Sequence, residues 1–210
     1  MNSRRHRLGF TPWLGVFETL RVERGEAQFV QEHWESLQAS AAALGLKITV
    51  DFRQKKVPAA SGRWRWVVRP EKSESFFQQQ EGRPAQPQSI SISPLRVGRQ
   101  NWDARYKTVS YLTHWQARQQ ASTDEVILLN EKGQVASGAM SNVFWTKAGR
   151  VYTPALDCGC RAGVIRSQIM KLYHVREVRQ PASVLRRAEQ IFITNSWIGC
   201  CPVQLVDAPI

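Results

Sequence analysis

From Val16 to Val22 the chain alternates residue by residue, the period-two signature of a half-buried strand. A turn at Gly25 then leads to Phe29-Val30, which predicts a hairpin. From Gln31 the period lengthens: Trp34, Leu37, Ala41 and Leu44 fall at helical spacing, and Gly45 stops the helix. Trp64, Trp66 and Val68 share one face of a strand whose other face carries Arg63, Arg65, Val67 and Arg69. Pro70 ends that strand. Residues 71–88, rich in Gln, Glu, Ser and Pro, read as an exposed loop. Ser89-Ile-Ser-Ile-Ser93 alternates cleanly and predicts another strand.

Residues 94–107 form the expected connection to a second unit. There the pattern predicts a helix from Thr108 to Ala121, headed by Lys107, with Leu112 and Trp115 on one side. Strands follow at 125–130, 142–147, 150–153, 190–194 and 202–206. Two helices separate them, near 163–174 and 181–188, and Pro181 suits the first turn of the second. The expected organisation is α+β in two domains, a smaller one over 1–98 and a larger one over 99–210.

Composition narrows the class. Of 210 residues, 42% are hydrophobic and 22% charged, as in ordinary globular proteins. No apolar run approaches the roughly 20 residues that span a bilayer. No apolar segment of a signal peptide follows the basic start, Met1 to Leu8. These features lead us to expect a cytoplasmic protein with no membrane partner. The net charge of +12 is spread over Arg4, Arg5, Arg7, Arg63, Arg65, Arg69, Arg186 and Arg187 among others. It forms no helical stripe and no nucleic-acid signature, so a small anionic substrate is the expected partner. Four cysteines, Cys158-x-Cys160 and Cys200-Cys201, miss the usual spacing of zinc ligands and read as reduced thiols. No metal is expected.

The candidate chemistry lies in an ordered series of blocks. Lys107-Thr-Val-Ser-Tyr-Leu112 is followed by Glu125-Val-Ile-Leu-Leu-Asn130 and Gly138-Ala-Met-Ser-Asn-Val-Phe-Trp145. Before them stand Gly15-Val-Phe-Glu-Thr-Leu-Arg-Val22 and His33-Trp-Glu-Ser-Leu37. After them come Tyr152-Thr-Pro154, Gly163-Val-Ile-Arg166 and Phe192-Ile-Thr-Asn-Ser196, leading to Pro202-Val203. In this order the blocks resemble the fold-type IV family of pyridoxal-phosphate (PLP) enzymes, which holds class IV aminotransferases and aminodeoxychorismate lyase. The resemblance implies a small α/β domain and a larger, mostly β, barrel-like domain flanked by helices. It also implies a homodimer and a PLP cofactor carried on Lys107 as a Schiff base. A solvated lysine is the ordinary reading of any single lysine; the surrounding blocks override it here.

By the same resemblance the cofactor's phosphate falls to Gly163, Val164 and Ile165 at a helix start, with Thr194, Asn195 and Ser196 nearby. Asn142 turns or caps beside it, His33 reads as a capping or packing residue, and His114 reads as a satisfied polar group. Three positions depart from the family. Where many relatives read His-x-x-Arg-Leu, this chain has Ser36, a neutral contact in place of a charged one. Where relatives set a glutamate against the pyridine nitrogen, it has Ser137, which offers no charge. A ring-packing leucine becomes Arg161, which either replaces the phosphate cation or blocks the pocket. Losing the glutamate favours elimination over transamination. The expected function is a lyase of the aminodeoxychorismate type, releasing pyruvate to give 4-aminobenzoate. A branched-chain or D-amino-acid aminotransferase and a cofactor-free binding protein are the alternatives.

Overall fold

The computed structural model describes residues 14–82 and 84–206; Arg4, Arg5 and Arg7 lie outside them. The first unit opens with β1 (Val16–Glu23) and β2 (Glu26–Ala27), followed by α1 (Val30–Ala43), β3 (Gly62–Arg69) and β4 (Lys72–Gln79). Its strands lie in the order β2-β1-β3-β4. The hairpin's returning arm is only two residues long, because Phe29 turns into left-handed backbone (φ 52°) and starts α1 instead. Gly45, at φ 66°, ends that helix in a conformation glycine adopts without strain.

Packing explains the periodicities. Val16, Leu20 and Val22 on β1 and Trp64, Trp66 and Val68 on β3 turn one face toward Trp34, Leu37 and Ala41 of α1. Trp66, fully buried, stacks on Phe52 with ring centroids 5.4 Å apart and meets Trp34 and Trp64 edge-on. β4 corrects the loop expected over residues 71–88. Its Lys72–Gln79 sequence carries little apolar signal because it is an edge strand, bonded only to β3 in this sheet.

The second unit comprises β5 (Ser89–Val97), α2 (Trp102–Arg105), α3 (Leu112–Gln120), β6 (Glu125–Asn130), β7 (Val135–Gly138), β8 (Asn142–Lys147) and β9 (Arg150–Pro154). It continues through α4 (Val164–Leu172), β10 (Val175–Val178), α5 (Ser183–Arg186), β11 (Gln190–Asn195) and β12 (Gly199–Leu205). The eight strands run β10-β9-β8-β11-β12-β5-β6-β7, and the sheet curls until β7 packs back against β8 and β9. This is the two-domain α+β architecture with a curled, barrel-like sheet flanked by helices. β5 hydrogen-bonds to β6 and β12, so Ser89–Val97 sits in the larger sheet. The core of the larger sheet gathers Ile127, Leu129, Val143, Trp145, Ile191 and Ile193. Behind β6, Ala104 of α2 and Ala117 of α3 cover Val126 and Leu128.

Two strands, β7 and β10, were not legible in the sequence; each is four residues long. The helix expected from Thr108 begins only at Leu112. Residues 107–109 are extended instead: Phe17 N–H donates to Lys107 O (2.8 Å) and Val109 N–H to Gly15 O (2.9 Å). That bridge fastens Lys107 to the small sheet. In α3 it is His114 and Ala117 that are buried, while Leu112 and Trp115 are exposed.

Candidate functional site

A cavity of about 310 Å³ is lined from both units, at the lower end of small-molecule sites. Phe17, Glu18, Ser36, Arg63 and Arg65 face it from the small unit, and Lys107 from the bridge. Of the residues predicted from sequence, Lys107, Asn142, Arg161, Gly163, Val164 and Ile165 line it, as do Thr194, Asn195 and Ser196. Residues far apart in the chain are thus brought to one place. Ser137 is not among them: it is buried opposite Leu128 in the β6–β7 ladder, outside the lining.

Lys107 holds its Nζ 4.7 Å from the centre of the Phe17 ring. Burial, reinforced by the Arg161 charge and only partly offset by Glu18, pulls its pKa down to about 7. At neutral pH a large fraction of this amine is therefore uncharged and nucleophilic.

Glu18 is the neighbouring carboxylate. It sits at an inward position of β1, between Val16 and Leu20 on the buried face. Burial alone would raise its pKa, but hydrogen bonds and charge from His33, with Lys107 and Ser36, hold it below the ordinary value. His33 Nδ1 lies 2.8 Å from one carboxylate oxygen, and Ser36 Oγ donates to the other at 2.8 Å. His33 is therefore no helix cap but a buried partner inside α1. Ser36, at the position of the family arginine, braces a carboxylate instead of presenting a cation.

Arg161 does present a cation. Asn142 Nδ2 donates to its backbone oxygen at 2.8 Å, fixing the loop, and its Nη2 donates to Tyr111 Oη at 3.1 Å. Tyr111 Oη donates onward to Ala139 O, and its ring stacks on His114 at 4.2 Å. Burial, with the charges of Arg161 and Lys107, drops the His114 pKa to about 3, so its ring stays neutral. Its Nδ1 has no partner, contrary to the expectation of a satisfied side chain. Arg161 Nη1 and Thr194 Oγ1 are likewise buried without partners.

Beside them α4 follows its N-cap Gly163 with no side-chain cap, so the amides of Val164 and Ile165 at the cavity wall have no capping partner, while Gly163 N–H donates to Arg161 O at 2.9 Å. A Cβ at Gly163 would meet Asn142 Oδ1, so only glycine permits this approach. Asn195 accepts from the amides of Trp197 and Ile198 and donates to Met140 O, closing the wall. Backbone donors, a hydroxyl and a guanidinium converge here, and together they suit an anionic group.

Several lining residues escaped the sequence reading: Phe17, Thr19, Met140, Ser141 and Trp197. Glu18 gave a readable signal, a carboxylate at an inward strand position. Ser141 gave none, since its link to the buried Glu125 (2.8 Å) joins the turn before β8 to the start of β6. Among the described residues no group of three or more His, Cys, Asp or Glu is placed to hold a metal. Cys158, Cys160 and Cys201 are buried and unpaired by disulfides.

A small α+β unit, a curled β unit and a lysine in the cavity they share define a fold-type IV protein of the PLP-dependent class. The chain belongs to the class IV aminotransferases: the family described as Amino-transferase class IV matches residues 15–206. It is 26% identical to an aminodeoxychorismate lyase of Bacillus subtilis, over 95% of this chain and 80% of that one. It is also 25% identical to a D-alanine aminotransferase of Bacillus licheniformis, over 92% and 79%. The crystal structure of 4-amino-4-deoxychorismate lyase from Pseudomonas aeruginosa superimposes with a TM-score of 0.79 at 20% identity, covering 93% of this chain and 84% of that one. That similarity speaks for the fold alone.

Proposed function

We propose that this chain is a PLP-dependent lyase of the aminodeoxychorismate type, with Lys107 as the amine that takes up the cofactor. The support is one juxtaposition. An amine with a pKa of about 7 shares a cavity with the uncapped start of α4, the orphaned Thr194 hydroxyl and the orphaned Arg161 nitrogen. Those groups fit an aldehyde that carries a phosphate. The α4 amides with Thr194, Ser196 and Arg161 would hold the phosphate, and Arg161 would supply the positive charge that Ser36 lacks. Bound PLP supplies a carbonyl that condenses with amines and a ring that draws electrons from the carbon bearing the amine.

The protein's own groups do the rest. Lys107 would take and return a proton, a task that suits a pKa near the working pH. Glu18 balances its charge. Elimination is favoured over transamination by the carboxylate inventory. Among the described lining residues Glu18 is the one carboxylate, and both its oxygens are already bonded to His33 and Ser36. Among the described residues no lining carboxylate is left to keep a ring nitrogen protonated, and elimination depends less on one because electrons depart with the leaving group.

The test is direct. Protein mixed with PLP should turn yellow, and borohydride should bleach it and leave a stable adduct on Lys107 but none on Lys107→Ala. Release of pyruvate from aminodeoxychorismate should follow. Amino transfer to a 2-oxo acid without pyruvate release would instead select the aminotransferase reading. A protein that stays colourless leaves only a binding role. We further propose a domain boundary near residue 88, since β5 pairs into the larger sheet. We also propose the homodimer that the family implies, with light scattering as its check.

A further inference from the structure

The groups on the cavity wall set what a ligand must bring, and they ask for less than a whole coenzyme. One requirement is a carbonyl. Lys107 faces the cavity, and burial with the Arg161 charge pulls its pKa down to about 7, so much of the amine is uncharged at neutral pH. The other requirement is a compact anion. Thr194, only 1% exposed, brings an unpartnered hydroxyl to the wall from β11, and α4 packs against that strand. The uncapped amides of Val164 and Ile165 and the unpartnered Arg161 Nη1 complete the cradle.

Nothing among the described lining residues asks for an aromatic ring. The lining holds two aromatic side chains, Phe17 and Trp197, and each already has a cation against it. Lys107 Nζ and Arg65 Cζ lie 4.7 Å and 5.0 Å from the centre of the Phe17 ring, and Arg63 Cζ lies 4.5 Å from that of Trp197. The one lining carboxylate, Glu18, is bonded through both oxygens and offers nothing to a ring nitrogen. The wall instead carries the hydroxyls of Thr19, Ser141 and Ser196. Ser141 Oγ already donates to Glu125, so it serves a ligand only as an acceptor. A wall of this kind suits the hydroxyls of a sugar chain.

We infer that the cavity takes a second ligand class: open-chain aldose phosphates whose aldehyde and phosphate stand as many bonds apart as in PLP. Tetrose 4-phosphates meet that condition. In both molecules the same count of carbons and one ester oxygen separate the aldehyde carbon from phosphorus. With O4 esterified, the tetrose cannot close a furanose ring, and its carbonyl stays open to amines. Lys107 Nζ adds to that carbon, a C–N bond forms, and the carbonyl oxygen leaves as water with both amine protons. The phosphate then lies on Thr194, Arg161 and the α4 amides. Hydrolysis reverses the imine, so the sugar competes with PLP for one amine. The inference rests on the same amine and anion cradle as the PLP reading, but not on the pyridine ring.

Borohydride trapping with peptide mass mapping, on the full chain freed of any cofactor, is the test. Erythrose 4-phosphate is the probe and 4-O-methylerythrose its control, since neither closes a ring and only the first carries phosphate. Erythrose 4-phosphate should label Lys107 at concentrations lower by about tenfold or more, the scale of one charge-assisted contact. Surface lysines should show no such gap. Arg161→Gln and Thr194→Val should each narrow it, with circular dichroism to check that both fold. The ratio of the two probes cancels any change that Arg161→Gln makes to the amine itself. Preloading with PLP, where the protein turns yellow, should block the label. No adduct on Lys107, equal labelling by the two probes, or a gap that survives both variants overturns the inference. Mapping on the wild type locates the adduct even where a variant misfolds. A protein that yellows with PLP yet takes no erythrose 4-phosphate keeps the PLP reading alone. One labelled by the sugar but colourless with PLP keeps this inference alone.

Discussion

At the scale of single residues, the neighbours of Lys107 set its chemistry by opposing charges. Arg161 makes the ammonium form less stable, and Glu18 makes it more stable. Condensation of Lys107 with pyridoxal, which lacks the phosphate, should therefore speed up as pH rises through about 7 and then level off. Arg161→Leu should move that midpoint up, and Glu18→Gln should move it down; absorbance against pH reads both. If the two variants shift in the same direction, the electrostatic account of the site is wrong. Stability carries the same signature. The folded pKa of about 7 lies below the ordinary 10.5, so between those values the unfolded chain binds the extra proton. Stability should rise with pH across that window, and Lys107→Met should flatten the slope. Thermal melts over the range will show it. The importance of Lys107 was legible from the blocks around it. Its depressed pKa was not, because that depends on Arg161 and Glu18, which approach from distant parts of the chain.

At the scale of elements, α4 couples fold to site. Its amides reach the cavity because Gly163 lets Asn142 close against the turn, and Asn142 in turn holds the backbone of Arg161. Gly163→Ala should force Asn142 away and cost about 1–3 kcal/mol, as overpacking usually does. It should also weaken PLP binding by about tenfold, the scale of one lost charge-assisted contact, and leave pyridoxal binding nearly unchanged. Chemical denaturation and paired titrations measure the two effects. Elements with a buried face announced themselves: β1, β3 and α1 each carry their apolar residues at the period of their backbone. β4 stayed hidden because edge pairing to β3 demands no apolar stripe. The start of α3 was misplaced because the bridge between Thr108 and Val16 outweighs the local helical pattern.

At the scale of the whole molecule, the +12 charge and the cavity's three arginines, Arg63, Arg65 and Arg161, should act together on an anionic ligand. Association with PLP should slow by about tenfold between 0.01 M and 0.15 M salt, as the screening length falls from roughly 30 Å to roughly 8 Å. Stopped-flow absorbance measures it, and a rate indifferent to salt would remove any steering role for the charge. Sequence by itself determined the strand and helix periods, the order of blocks and the lysine among them. Those features are local: a backbone that repeats every 2 or 3.6 residues writes its buried face directly into the chain. Only tertiary structure decided that Ser36 braces Glu18, that Ser137 lies outside the cavity lining, and that Arg161 and Thr194 bring unpaired polar atoms to its wall. Such contacts join residues from separate elements, and their energies come from burial and charge that exist only once the two sheets have packed.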